Sequence, residues 1–166
     1  MIFVTVGTQK FEFNRLLIKI DELIEDGTIK DEVFAQIGVC SYKPKHYQYK
    51  TFMPKDIMME WLMKADMVVT HAGTGIMMTA IRMGKKVIAV PRLREFNEHV
   101  DDHQFEIVKV LGGAGIIEPV YEMDKLGACI ERARTHDYRP YISTRQQVVD
   151  QLDAWICEYR EAETNR

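Results

Sequence analysis

Four short apolar runs constrain this chain more than any other feature. Residues 2–6 close at Gly7 and residues 33–38 end on Gly38. Residues 66–70 stop at His71-Ala72-Gly73, and residues 86–90 end at Pro91. Strands that are apolar along their length, rather than alternating, are buried on both faces. Between them lie segments with apolar residues at helical spacing, such as Phe13, Leu16, Leu17, Ile20, Leu23 and Ile24, ending at Gly27. Strand and helix in alternation predict an α/β domain: a parallel sheet with helices on both faces.

The remaining segments extend the pattern. A short strand is expected at 49–52, and Pro54 opens a helix through Met58, Trp61 and Leu62. A helix follows the 71–75 turn as far as Gly84. Another spans about Glu98 to Leu111, before Gly112-Gly113. A short strand at 115–118 and a helix from Met123 to Arg134 come next. The last helix, 143–162, carries Val148, Val149, Leu152, Trp155, Ile156 and Tyr159 on one stripe. No linker or repeat interrupts residues 1–166, which read as a single domain.

Charge and cysteines exclude several classes. Lys and Arg total 22 against 25 Asp and Glu, a net charge of −3. That argues against a dedicated nucleic-acid binder, despite Tyr42, Lys43, Lys45 and Tyr47 standing close together. Cys40, Cys129 and Cys157 are far apart and never in a CxxC pair, so a reducing compartment is expected. No run approaches ~18 apolar residues, and Met1 leads straight into a strand without a basic leader. The expected setting is the cytoplasm.

In an open parallel sheet, ligands bind beyond the carboxyl ends of the strands. Three segments lie there. Gly7-Thr8 could approach a ligand closely or simply turn the chain. His71-Ala72-Gly73-Thr74-Gly75 exposes backbone N–H groups at a helix amino end, suited to a diphosphate without lysine or metal. It matches neither the dinucleotide fingerprint nor the P-loop. Arg92 and the run Glu98-His99-Val100-Asp101-Asp102-His103-Gln104 form the third. On a helix, His99 would neighbour His103 and Glu98 would neighbour Asp102. These residues suit sugar hydroxyls, a metal, or a solvated face. Arg92 is a candidate for assisting a diphosphate, or a surface cation.

Together these pieces resemble the C-terminal, donor-binding domain of glycosyltransferase family 28. The matching residues are 4–8 with Phe11 and Phe13, then 35–38, 65–75, 84–92 and 98–104. The chain is most similar to the stand-alone subunits of two-part transferases. These include the cytosolic subunit of the dolichol-pathway N-acetylglucosamine transferase and bacterial exopolysaccharide and capsule subunits. The resemblance implies a Rossmann-like half of a GT-B enzyme, a UDP-sugar donor, and inverting transfer without a metal or cofactor. It implies that Gly7, Thr8 and the 73–75 turn face the diphosphate. The backbone of Phe52 and Met53 would face the uracil, and Asp102, His103 and Gln104 the sugar. Where the family often has a ribose-binding Glu, this chain has Thr79.

The function expected is therefore the donor-binding subunit of a two-chain hexosyltransferase acting in surface polysaccharide synthesis. A membrane-anchored partner would supply the lipid-linked acceptor site and hold the complex at the inner membrane face. Glu98 and His99 are the candidate general bases, unless the partner supplies one. The alternatives are an epimerase-like enzyme, a metal-dependent hydrolase using 98–103, and a non-catalytic accessory subunit.

Overall fold

A computed structural model describes residues 1–143 and Gln151; the expected helix at 143–162 and Cys157 lie essentially outside the described residues. The strands are β1 (Ile2–Thr5), β2 (Val33–Gln36), β3 (Gln48–Lys50), β4 (Met67–Thr70), β5 (Lys86–Ala89) and β6 (Glu118–Pro119). The helices are α1 (Asn14–Glu25), α2 (Lys55–Lys64), α3 (Thr74–Arg82), α4 (His103–Gly113) and α5 (Leu126–Thr135). The six strands form one sheet in the order β3-β2-β1-β4-β5-β6. Every pairing is parallel.

The apolar strands feed two cores because side chains alternate across a sheet. Ile2, Val4, Met67, Val69, Ile88 and Val90 face one layer, with Leu16, Leu17 and Ile20 of α1 and Leu126 and Ile130 of α5. Phe3, Phe34, Val68, Val87 and Ala89 face the other, with Leu62 of α2, Met77 and Ala80 of α3 and Val108 of α4. Successive connections from β1 run outward through β2 and β3, then return across β1 to β4. The strand order therefore reverses between β1 and β4, which opens a crevice at their carboxyl ends.

Two expectations need correction. The helix expected from Glu98 begins at His103, and 94–96 form a single 3-10 turn instead. Glu98 is drawn into tertiary contacts that a helix starting there would break, as described below. The strand expected at 115–118 is confined to Glu118–Pro119, because only the Ile88 and Ala89 register supplies it with partners. The aromatic-basic run near 42–47 is a structural loop. Asp21 accepts hydrogen bonds from the Tyr42 hydroxyl (2.6 Å) and the backbone N–H groups of Lys45 (2.7 Å) and His46 (2.9 Å). Cys40 and Cys129 are buried free thiols. No described helix is long and apolar enough to cross a membrane.

Candidate functional site

The switch-point crevice is built around Gly7, which follows β1 with φ +75. Buried Gln36, at the carboxyl end of β2, holds this turn from both sides. Its Oε1 accepts from the Gly7 N–H (3.2 Å) and the Thr5 hydroxyl (2.8 Å). Its Nε2 donates to the carbonyls of Gly7 (3.0 Å) and Thr51 (2.9 Å). One amide thus ties the β1 loop to the chain leaving β3, where Phe52 stands half exposed and Met53 packs on the second core layer. Thr8 is exposed beside them.

Across the crevice, His71 and Ala72 are buried and Gly73 precedes α3. His71 Nδ1 lies 3.3 Å from the Thr5 carbonyl and 3.4 Å from the Thr70 hydroxyl. A carbonyl only accepts, so the network puts the ring proton on Nδ1 and leaves Nε2 an acceptor. Burial, then the nearby positive charge of Arg92, pushes the His71 pKa down to about 4, so the ring is neutral. Its Cε1–Nε2 edge abuts two glycines. A Cβ on Gly7 would stand 2.6 Å from Cε1, and one on Gly73 would stand 2.3 Å from Nε2. The turn's left-handed residue is Ala72, with φ 61, a conformation L-residues rarely adopt outside constrained sites. Gly73 itself is extended. Among the described residues no side chain caps α3, so its first N–H groups open toward the crevice.

The third segment divides into buried and exposed residues. Glu98 Oε1 accepts from Arg15 Nε (2.6 Å), and Oε2 accepts from Arg15 Nη2 (2.9 Å) and the Leu93 N–H (3.2 Å). Arg92 is fully buried, which corrects its reading as a surface cation. The His99 ring packs on Phe11 with centroids 5.9 Å apart, and Asp101 Oδ1 lies 3.0 Å from its Nδ1. Asp101 also accepts from the His103 N–H (3.1 Å), and Asp102 from the Arg94 N–H (2.9 Å). Gln104 is buried, with Oε1 accepting from the Arg92 N–H (3.1 Å). Residues 98–102 are not helical, so the expected helical pairings of His99 with His103 and of Glu98 with Asp102 do not form.

A profile of the glycosyltransferase family 28 C-terminal domain matches residues 1–158. The chain belongs to this family. It is 28% identical over 120 residues to the UDP-N-acetylglucosamine transferase subunit ALG13 of Mus musculus. It is 29% identical over 133 residues to the same-named subunit of Homo sapiens. Those alignments cover 68% and 69% of this chain, which spans 10% of either relative. Among solved structures, the kitacinnamycin glycotransferase superposes with TM-score 0.61 at 17% identity, covering 81% of this chain and 35% of that one. Acinetobacter baumannii MurG superposes with TM-score 0.53 at 16% identity, covering 91% and 49%. The parallel sheet and its flanking helices match the C-terminal halves of GT-B glycosyltransferases.

Within this family-28 domain, Thr79 departs from the expected ribose-binding Glu. Its hydroxyl donates to the Gly75 carbonyl (2.8 Å), one turn back in α3, so it serves the helix backbone. Among the described residues, no three His, Cys, Asp or Glu side chains gather as a metal site requires. The carboxylates of Glu98 and Asp102 turn instead to Arg15 and to the backbone of Arg94. Gln36 lies within the matching run 35–38, which does not by itself mark it as a site residue. The signal for its role was a polar amide at the carboxyl end of an otherwise apolar strand.

Proposed function

We propose that this chain is the donor-binding, catalytic subunit of an inverting, metal-independent two-chain glycosyltransferase. It transfers a hexose from a UDP-sugar to a lipid-linked acceptor in surface polysaccharide synthesis. The observation that carries this reading is the uncapped amino end of α3, which opens beside Gly7 on the switch-point crevice of a family-28 domain. Helix amino ends favour phosphate through free N–H groups and the helix dipole. The similarity to proteins named as UDP-N-acetylglucosamine transferase subunits supports a UDP-sugar donor and a partner chain. The partner, anchored in the membrane, provides the acceptor half.

In the proposed reaction, the acceptor hydroxyl oxygen bonds to the anomeric carbon from the face opposite UDP. The bond from that carbon to the β-phosphate oxygen breaks, and its electron pair leaves with UDP. The growing charge falls on the α3 N–H groups from residues 74–76. The Phe52-Met53 backbone takes the uracil, while Asp102, His103 and the Gln104 amide take sugar hydroxyls. Glu98 is committed to Arg15, so the base assigned in this chain is His99. Asp101 holds the ring, with Oδ1 3.0 Å from Nδ1 and its backbone N–H 3.3 Å from the same nitrogen; in the tautomer whose Nδ1 proton points to Oδ1, Nε2 receives the acceptor proton.

Two results test this reading. At 100 times its Kd, UDP adds about 2.7 kcal/mol and should raise Tm by roughly 5–10 °C, unchanged by EDTA. No shift with any nucleotide, for the chain alone or co-expressed with its partner, overturns the donor reading. In the assembled pair, His99→Ala is expected to cut kcat by about 10²–10⁴-fold while UDP still binds. Full turnover by His99→Ala moves the base to the partner. Full turnover after changes at Gly73 and Gln104 makes this chain an accessory subunit.

A further inference from the structure

Arg92 carries the largest side chain among the fully buried residues, with 1% of its surface exposed. Its guanidinium forms no ion pair among the described residues; the nearby Glu98 carboxylate is bonded to Arg15. It is held by backbone carbonyls instead. Nη1 donates to Phe11 (2.8 Å) and Glu98 (3.2 Å), Nη2 donates to Val6 (2.5 Å), and Nε has no partner among the described residues. The plane lies over the Phe13 ring, 5.3 Å from its centroid. An isolated cation is among the costliest groups to bury, because carbonyl dipoles only partly replace water. A methionine would fill the same volume without that cost, so packing alone does not account for the charge.

The three carbonyls identify what the charge organises. Val6 immediately precedes Gly7, Phe11 belongs to the loop between β1 and α1, and Glu98 belongs to the loop between β5 and α4. The Arg92 N–H also reaches Gln104 in α4. One side chain therefore fastens both loops that border the crevice. We propose that Arg92 is a positioning residue for the donor site. It locks the 7–13 and 93–102 loops together and supplies a fixed positive charge behind the diphosphate, one that the bound anion complements. This proposal rests on the donor-binding reading above. Lysine has charge without the planar fork, and so could not serve three carbonyls in these directions.

The test uses Arg92→Met and Arg92→Lys in the full chain, each checked for folding by circular dichroism. The first readout is the His71 ring titration by NMR, which needs no ligand. Besides its burial, the neighbouring Arg92 and His99 side chains both push the His71 pKa down. Arg92→Met should move the His71 pKa upward from about 4, whereas Arg92→Lys should hold it down. The second readout is UDP affinity by calorimetry. Arg92→Met should weaken UDP about tenfold or more, while Arg92→Lys keeps most of the affinity and loses kcat in the assembled pair. A residue that merely filled space would weaken UDP equally in both variants and leave the His71 titration unmoved; that result overturns the proposal. If Arg92→Met fails to fold, Arg92→Lys decides. UDP affinity retained with kcat lowered supports the proposal, and kcat unchanged overturns it. Wild-type protein that binds no UDP refutes the donor reading separately, and the His71 titration still reports on the buried charge.

Discussion

Gly73→Ala is expected to destabilise the chain by about 1–3 kcal/mol and to abolish stabilisation by UDP. The backbone is not the obstacle: Gly73 has φ −65 and ψ 119, which any residue adopts. The obstacle is the His71 ring, whose Nε2 would stand 2.3 Å from the new Cβ. A ring displaced from Gly73 meets little free space, since Gly7 abuts the same edge and Thr5 and Thr70 hold Nδ1. The strain is then passed to the turn that carries the α3 N–H groups. Gly75→Ala is the control, because its Cβ would meet nothing within 4 Å among the described residues. That variant should gain up to about 1 kcal/mol from helix propensity. If the diphosphate sits where proposed, Gly75→Ala should also weaken UDP, because the methyl group projects into open space at the helix end. Urea melts with and without UDP measure both effects. Adding His71→Ala should recover part of the stability lost in Gly73→Ala. Additive losses in that double variant would show that the clash is not the cause.

The sheet was legible because its strands are apolar on both faces, and such runs have few other uses. Edge strand β3 was harder: Gln48 and Lys50 are exposed. Its pairing does continue into the Thr51 carbonyl, which accepts from the Gly38 N–H. The placement of the three candidate segments was also legible, since each follows an apolar run. What local spacing did not carry was tertiary. Glu98 was expected to begin a helix, yet its carboxylate bonds Arg15, 83 residues away. Arg92 stands between Pro91 and Leu93 at the start of a charged segment, and only the fold encloses it between the β1 and β5 loops. The 71–75 turn was expected to expose backbone N–H groups through its small residues. Within it Ala72 takes the left-handed conformation, and Gly73 is needed for the close approach of a ring.

That ring gives the chain an acid limit. Lowering the pH from 6.5 to about 4 is expected to remove about 3 kcal/mol of stability through His71, about 2 kcal/mol of it by pH 5. The sign follows from proton binding. In the unfolded chain the imidazole takes up a proton below its ordinary pKa of 6.5, while in the folded chain burial delays uptake to about 4. Between those values the unfolded state binds more protons, so stability rises with pH and is complete above the window. Asp21 and Asp31, whose hydrogen bonds hold them below the ordinary value of 3.8, contribute stability that is lost only at lower pH. The two acid regimes are therefore separable. Urea melts of the wild type and of His71→Gln at pH 7, 6 and 5 check this. The wild type should weaken progressively, and His71→Gln should be nearly flat over the same range. Equal slopes would mean that His71 accepts its proton in the folded crevice as readily as in water. The neutral ring, and the buried cation that helps keep it neutral, would then have no part in shaping the site.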